Sequence, residues 1–182
     1  MKKNIIVGVC GSIASYKVIE IIRRLKEKKW EVKVVMTEEA KKFINPLTFE
    51  VISQNPVYTD LFAKREEVMH ISLSEFASVI LIVPATANII GKISCGICDD
   101  LLTCVVCSSK CKIIFAPAMD ENMWKNKIVQ ENVKKLKKLG YLFIGPEKGK
   151  LASGKTGIGR LASTEKIVNF IESLNLQGGK DG

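Results

Sequence analysis

The chain has 182 residues, 47% of them hydrophobic, and carries 28 Lys and Arg against 19 Asp and Glu, a formal charge of +9. That length holds one domain with a real core but not two large ones, and the apolar fraction excludes wholesale disorder. The longest apolar stretch, Val79 to Ile90, is broken by Pro84, Thr86 and Asn88, and the amino terminus lacks a signal-peptide pattern, so a cytoplasmic protein without a membrane role is expected.

Asn4 to Val9 reads as an apolar strand. Gly11-Ser12-Ile13-Ala14 makes a turn, and Ser15 to Lys29 follows as a helix with Val18, Ile21, Ile22 and Leu25 at inward spacing. Glu31 to Met36 is a second strand, and Thr37 caps a short helix to about Phe43. Asn45-Pro46 starts another helix, with Leu47, Phe49, Val51 and Ile52 as its apolar side chains. Val57 to Met69 is irregular and charged, Val79 to Val83 is a strand, and Ile89 to Val106 reads as a long helix. Lys112 to Ala116 is the fourth strand, and Ile128 to Leu139 is a helix ended by Gly140. Tyr141 to Ile144 is a fifth strand, Gly145 to Arg160 a glycine-rich loop, and Ser163 to Leu174 the last helix. Short continuous apolar strands alternating with helices predict an α/β fold: three layers, a doubly wound, mostly parallel sheet, Rossmann-like. Residues 1–174 form the domain, and the polar, glycine-rich 175–182 a loose tail or linker.

The basic cluster Lys134, Lys135, Lys137 and Lys138 lies on a helix whose inward stripe is Val133, Leu136 and Leu139. Without a nucleic-acid module or interleaved aromatics it reads as a solvated face, and no nucleic-acid partner is expected. The six cysteines include Cys95-x-x-Cys98 and Cys104-x-x-Cys107, but the pairs are too close together, and within a helical run, for a zinc ribbon. They read as small buried hydrophobes, with no metal site and no disulfide.

Four segments carry candidate chemistry. Gly149-x-x-x-x-Gly154-Lys155-Thr156 matches the P-loop pattern, yet Gly157-Ile158-Gly159-Arg160 follows it and cannot open a good helix, so nucleotide hydrolysis is disfavoured. Gly8-x-x-Gly11-Ser12 sits between the first strand and helix, where backbone amides cradle phosphate. It lacks the third glycine and the acid at the second strand's tip that a dinucleotide site uses, so a mononucleotide fits better; a plain tight turn is the alternative. Pro84-Ala85-Thr86-Ala87-Asn88 follows the third strand with small side chains, and Asn88 could equally be a helix cap. Pro117-Ala118-Met119-Asp120-Glu121-Asn122-Met123-Trp124 follows the fourth strand, and Asp120 could cap a helix there. These turns at the carboxyl ends of strands one, three and four converge on one edge of the sheet.

Taken together, Gly11-Ser12-Ile13-Ala14-x-Tyr16-Lys17, His70-Ile71-x-Leu73, Pro84-Ala85-Thr86-Ala87-Asn88, Gly96-Ile97-x-Asp99-x-Leu101-Leu102-Thr103, Pro117-Ala118-Met119-x-x-x-Met123-Trp124 and Gly157-x-Gly159-Arg160 resemble, in order, the homo-oligomeric FMN-containing cysteine decarboxylases. The resemblance covers about residues 4 to 172 and is strongest to members that convert 4'-phosphopantothenoylcysteine to 4'-phosphopantetheine in coenzyme A biosynthesis. It implies a Rossmann-like flavoprotein fold and a trimer or dodecamer with FMN between subunits. A phosphopantothenate-cysteine ligase domain is implied as a partner. Gly11, Ser12, Ile13, Thr37, Thr86, Ala87, Asn88 and Ala118 would hold FMN, and Met119, Asp120, Asn122 and Arg160 the substrate. His70, the sole histidine, would move protons beside them.

The implied chemistry is redox-assisted: two electrons leave the terminal cysteine for the flavin, carbon dioxide departs, and the enethiolate is then protonated and reduced. The family commonly has asparagine where Asp120 stands, and an ionised aspartate cannot donate a hydrogen bond to the substrate carboxylate. Asp120 could act protonated, could bind the substrate amide, or could leave the carboxylate to Asn122 or Arg160. Many members carry a proton-donating cysteine at the position of Ser153, and a hydroxyl is a far weaker acid than a thiol. Peptide-modifying relatives lack that cysteine and stop at the enethiol. The readings from the sequence are therefore a phosphopantothenoylcysteine decarboxylation, an oxidative decarboxylation of a peptide's C-terminal cysteine, or a non-catalytic FMN-binding subunit.

Overall fold

A computed structural model describes residues 3–62 and 68–174. The expected tail, 175–182, and part of the charged stretch after Val57 lie outside the described residues. Six strands form one parallel sheet: β1 (Asn4–Val9), β2 (Glu31–Met36), β3 (Val57–Tyr58), β4 (Val79–Ala85), β5 (Lys112–Pro117) and β6 (Leu142–Phe143). Their order is β3-β2-β1-β4-β5-β6. β4 is buried along its whole length, which explains why it reads as an unbroken apolar run.

Side chains alternate between two cores. Ile5, Val7 and Val9 face α1 (Val18–Glu27), α2 (Pro46–Ser53) and the last helix, α8 (Thr164–Ser173). Ile6, Ile80 and Ile82 face the other layer, built from α3 (Met69–Phe76), α4 (Ala87–Ser94), α5 (Leu101–Ser108) and α7 (Lys127–Lys138). A five-residue helix, α6 (Glu121–Lys125), follows β5. The three-layer, doubly wound α/β fold is as read from the sequence, and Val18, Ile21, Ile22 and Leu25 of α1 are all buried.

Several local readings need correction. The segment Ile13–Lys17 is a 3-10 turn, so α1 begins later than expected. Thr37 opens only a 3-10 turn, Ala40–Lys42. Leu47 and Val51 of α2 are exposed and only Phe49 among the expected apolar positions is fully buried. β3 and α3 went unread, being short or weakly periodic. The expected long helix is two, parted at Gly96, whose φ of +69° suits glycine, and α5 is restarted by a capping box in which Asp100 accepts from Thr103 N at 2.8 Å. Of the cysteines, only Cys10 and Cys104 are buried; Cys95 and Cys98, which flank the helix break, are exposed, as is Cys107 within α5. The glycine-rich loop is an antiparallel hairpin, β7 (Glu147–Lys150) and β8 (Thr156–Arg160), so the P-loop pattern lies on a strand pair and no helix receives its glycines.

Candidate active site

Winding reverses between β1 and β4, and in open α/β sheets ligands bind outside the strands' carboxyl ends at such a switch point. There the loops after β1, β2, β4 and β5, with the β7–β8 hairpin as outer wall, enclose a cavity of about 730 Å³. That size suits a cofactor together with part of a substrate.

The turn after β1 is built by serines. Ser12 Oγ accepts from Ala14 N at 3.3 Å, and Ser15 Oγ donates to Cys10 O at 3.0 Å and to Ser12 O at 2.6 Å. A Cβ on Gly11 would sit 2.4 Å from Glu39 Cβ, so this close approach of two loops requires glycine. Gly11, Ser12 and Ile13 line the cavity as a result. Thr37 joins them: its N–H donates to Val9 O at 3.0 Å, and its Oγ1 accepts from Ala40 N at 3.4 Å.

After β4, Thr86 rather than Asn88 caps α4, its Oγ1 accepting from Ile89 N at 3.4 Å. Asn88 lies within the helix's first turn and lines the cavity with Thr86 and Ala87. After β5, Ala118 N donates to Ala85 O at 3.1 Å, and Met119 N donates to Gly159 O at 3.0 Å. Asp120 Oδ1 accepts from Asn122 N at 2.8 Å, so Asp120 both caps α6 and faces the cavity. Ala118 and Met119 line the cavity too, whereas Asn122 does not.

The hairpin contributes Lys150, Leu151, Ala152, Ser153 and Arg160. Arg160 Nη2 donates to Glu147 Oε2 at 3.4 Å, and Lys166 Nζ to Glu147 Oε1 at 3.2 Å. Burial alone would raise the Glu147 carboxyl, but the bonds and charges of Lys166 and Arg160 outweigh it and hold it below its usual range. Tyr16, Lys17, Glu39 and Lys150 are lining residues that sequence reasoning missed. Reading Ser15 to Lys29 as a single helix hid the 3-10 turn that brings Tyr16 and Lys17 to the cavity. Reading the hairpin as a loop hid Lys150. Cys10 also lines the cavity, but burial, with Asp100 adding to it, pushes its thiol far above the ordinary value, so it is a neutral wall and not a nucleophile.

His70 is apart from this group. It lies in the first turn of α3, its carbonyl accepts from Ser108 Oγ at 3.4 Å, and it is not among the cavity-lining residues. Its neighbours Val68 and Ile71 are exposed, as are Ile13 and Tyr16 beside the cavity.

The lining fits FMN. A glycine turn at a strand–helix junction suits a phosphate, Thr37, Thr86 and Asn88 supply polar atoms, and Ile13, Ala118 and Met119 supply apolar contact. Residues 1–176 match the family known as Flavoprotein. The chain belongs to that family. Among relatives, this flavoprotein is 46% identical over 170 residues to the coenzyme A biosynthesis bifunctional protein CoaBC of Borreliella burgdorferi, an alignment covering 93% of this chain and 44% of the relative. The chain thus spans less than half the length of that relative. Its fold superposes on a cysteine-to-serine mutant of a PPC decarboxylase complexed with pantothenoylaminoethenethiol, with a TM-score of 0.87, 32% identity and 94% and 97% of the two chains covered. It also superposes on the FMN binding protein AtHal3, with a TM-score of 0.83, 30% identity and 94% and 96% covered. Among the described residues no helix is long and apolar enough to cross a membrane.

Proposed function

We propose that residues 1–174 form an FMN-dependent decarboxylase domain that converts 4'-phosphopantothenoylcysteine to 4'-phosphopantetheine in the cytoplasm. One observation carries this reading: the residues that the family resemblance assigns to flavin, drawn from four separate loops, line a single cavity with Asp120, Ser153 and Arg160. Likeness to a bifunctional coenzyme A protein and to a PPC decarboxylase supports the substrate.

Bound FMN supplies a two-electron acceptor and donor beside the cysteine end of the substrate. The chain's own residues do the rest. The Gly11-Ser12-Ile13 turn holds the flavin phosphate, and Thr37, Thr86, Ala87, Asn88 and Ala118 position the remainder. Met119 packs on the substrate. Arg160 takes the substrate carboxylate, since Asn122 is not among the cavity-lining residues and a carboxylate at Asp120 cannot donate a hydrogen bond to it. Asp120 then accepts from the substrate amide. Ser153 at the hairpin tip is the hydroxyl nearest the role of proton donor.

His70 completes the site from a neighbouring copy in a trimer or dodecamer. In support, its own chain keeps it off the cavity, and the exposed Val68 and Ile71 flank it on a surface that a second copy would cover. A phosphopantothenate-cysteine ligase domain is the proposed partner, in keeping with the bifunctional relative.

Purified protein should be yellow and should release FMN identifiable by mass. Incubation with phosphopantothenoylcysteine should yield carbon dioxide and the saturated amine. Ser153 favours a second reading in which the reaction ends at the enethiol, seen as a product two hydrogens lighter. Protein that stays colourless after FMN is added overturns both.

A further inference from the structure

The geometry points to Glu121 as the positioning residue that latches the β7–β8 hairpin over the cavity and so sets its tip against the substrate. Only the identity of that substrate rests on the decarboxylase reading. Glu121 opens α6, yet its carboxylate reaches out of its own helix: Oε1 accepts from Ile158 N of β8 at 3.2 Å and lies 2.9 Å from Lys125 Nζ. The second oxygen rests against the bare Cα of Gly157, where an added Cβ would come within 2.7 Å of it. The Lys125 bond first, and the Ile158 bond second, hold the Glu121 carboxyl below its usual value, so the latch is charged at neutral pH.

A two-stranded hairpin is marginal alone, so its placement depends on what anchors it. β8 pairs with β7 on one side only. On the other side, Gly159 O accepts from Met119 N and Ile158 N donates to Glu121, and these two bonds tie the arm to the loop that carries Asp120. The tip beyond is closed by its own backbone, Leu151 N donating to Lys155 O at 2.8 Å and Gly154 N to Leu151 O at 2.9 Å. Lys150 and Ser153 therefore reach the cavity on an arm that, among the described residues, Glu121 tethers to α6 by its side chain.

The test uses holoprotein with FMN bound and compares Glu121→Ala, Glu121→Gln and Gly157→Ala. Tryptic cleavage at Lys150 and Lys155 reports the arm, a flavin titration reports the cofactor site, and turnover of phosphopantothenoylcysteine gives KM and kcat. Glu121→Ala should speed tip cleavage and raise KM by about tenfold, the effect of losing one charge-assisted hydrogen bond, with FMN affinity unchanged. Glu121→Gln keeps an acceptor for Ile158 and should restore most of both. Gly157→Ala, which displaces the carboxylate, should copy Glu121→Ala. Unchanged cleavage and KM in Glu121→Ala would overturn the latch, as would a loss of FMN affinity in step with KM. If the parent turns over no substrate, the decarboxylase reading fails, and the cleavage rates alone decide the latch.

Discussion

Gly11→Ala tests the cofactor site most directly. The added methyl would lie 2.4 Å from Glu39 Cβ and 3.2 Å from the Glu39 carbonyl carbon. Carbon atoms pack at about 3.5–4.0 Å, so the loops after β1 and β2 must part by about 1 Å. The nearest atom is a Cβ fixed to the backbone, so rotating a side chain brings no relief. Overpacking of this kind costs about 1–3 kcal/mol. The displaced turn is the one that presents Gly11, Ser12 and Ile13 to the cavity, so most of the cost should fall on the flavin-bound state, weakening FMN about tenfold to hundredfold. Flavin fluorescence quenching in a titration measures this directly. Thermal melting supplies a second reading, because ligand at a hundred times its dissociation constant stabilises by about 2.7 kcal/mol and the variant should forfeit much of that shift. If Gly11→Ala binds FMN as tightly as the parent, the phosphate cradle lies elsewhere and the site assignment fails.

His70→Asn should keep its yellow colour and lose turnover, and mixing it with Gly11→Ala protomers should restore activity if the histidine acts across a subunit boundary; no recovery in mixed assemblies would place it otherwise. Ser153→Cys should increase the share of saturated product over enethiol by mass spectrometry, since a thiol is the stronger acid; an unchanged ratio removes Ser153 from the protonation step. Asp100→Ala removes the acceptor for Thr103 N and should cost about 1 kcal/mol in chemical denaturation, with flavin spectra unaltered. Glu172 gives a pH dependence: burial alone would raise its carboxyl, but hydrogen bonds from Trp30 and Lys3 outweigh that and hold it below its usual 4.5. A depressed folded value means the stabilisation is complete above pH 4.5 and fades as pH falls through that lower value. Glu172→Gln should therefore be less stable than the parent above pH 4.5 and lose less on acidification, followed by tryptophan fluorescence; parallel acid-unfolding curves would refute the linkage.

The layer architecture was legible because each central strand is a local apolar run. Residues 5–9, 79–85 and 113–117 are buried on both faces, and no partner is needed to see that pattern in the residues. The site-bearing loops were legible for a related reason: each begins where such a run stops. Legibility failed where long-range contacts overrode local preference. β3 is only two residues long and exists because β2 supplies its partner. The glycines from Gly149 to Gly159 suggested a loop, yet pairing across the hairpin and the Met119–Gly159 bond make them strands.

By itself the order of residues determined the alternation of strands and helices, the amphipathic face of α1 and the chemistry carried by each turn, since these depend on neighbours a few positions apart. Tertiary structure alone decided that β1 and β4 lie side by side, that the β7–β8 hairpin closes the cavity and that His70 stands outside it. Strand order and crossover bring together side chains far apart in sequence, and such contacts are settled by packing, not by local periodicity.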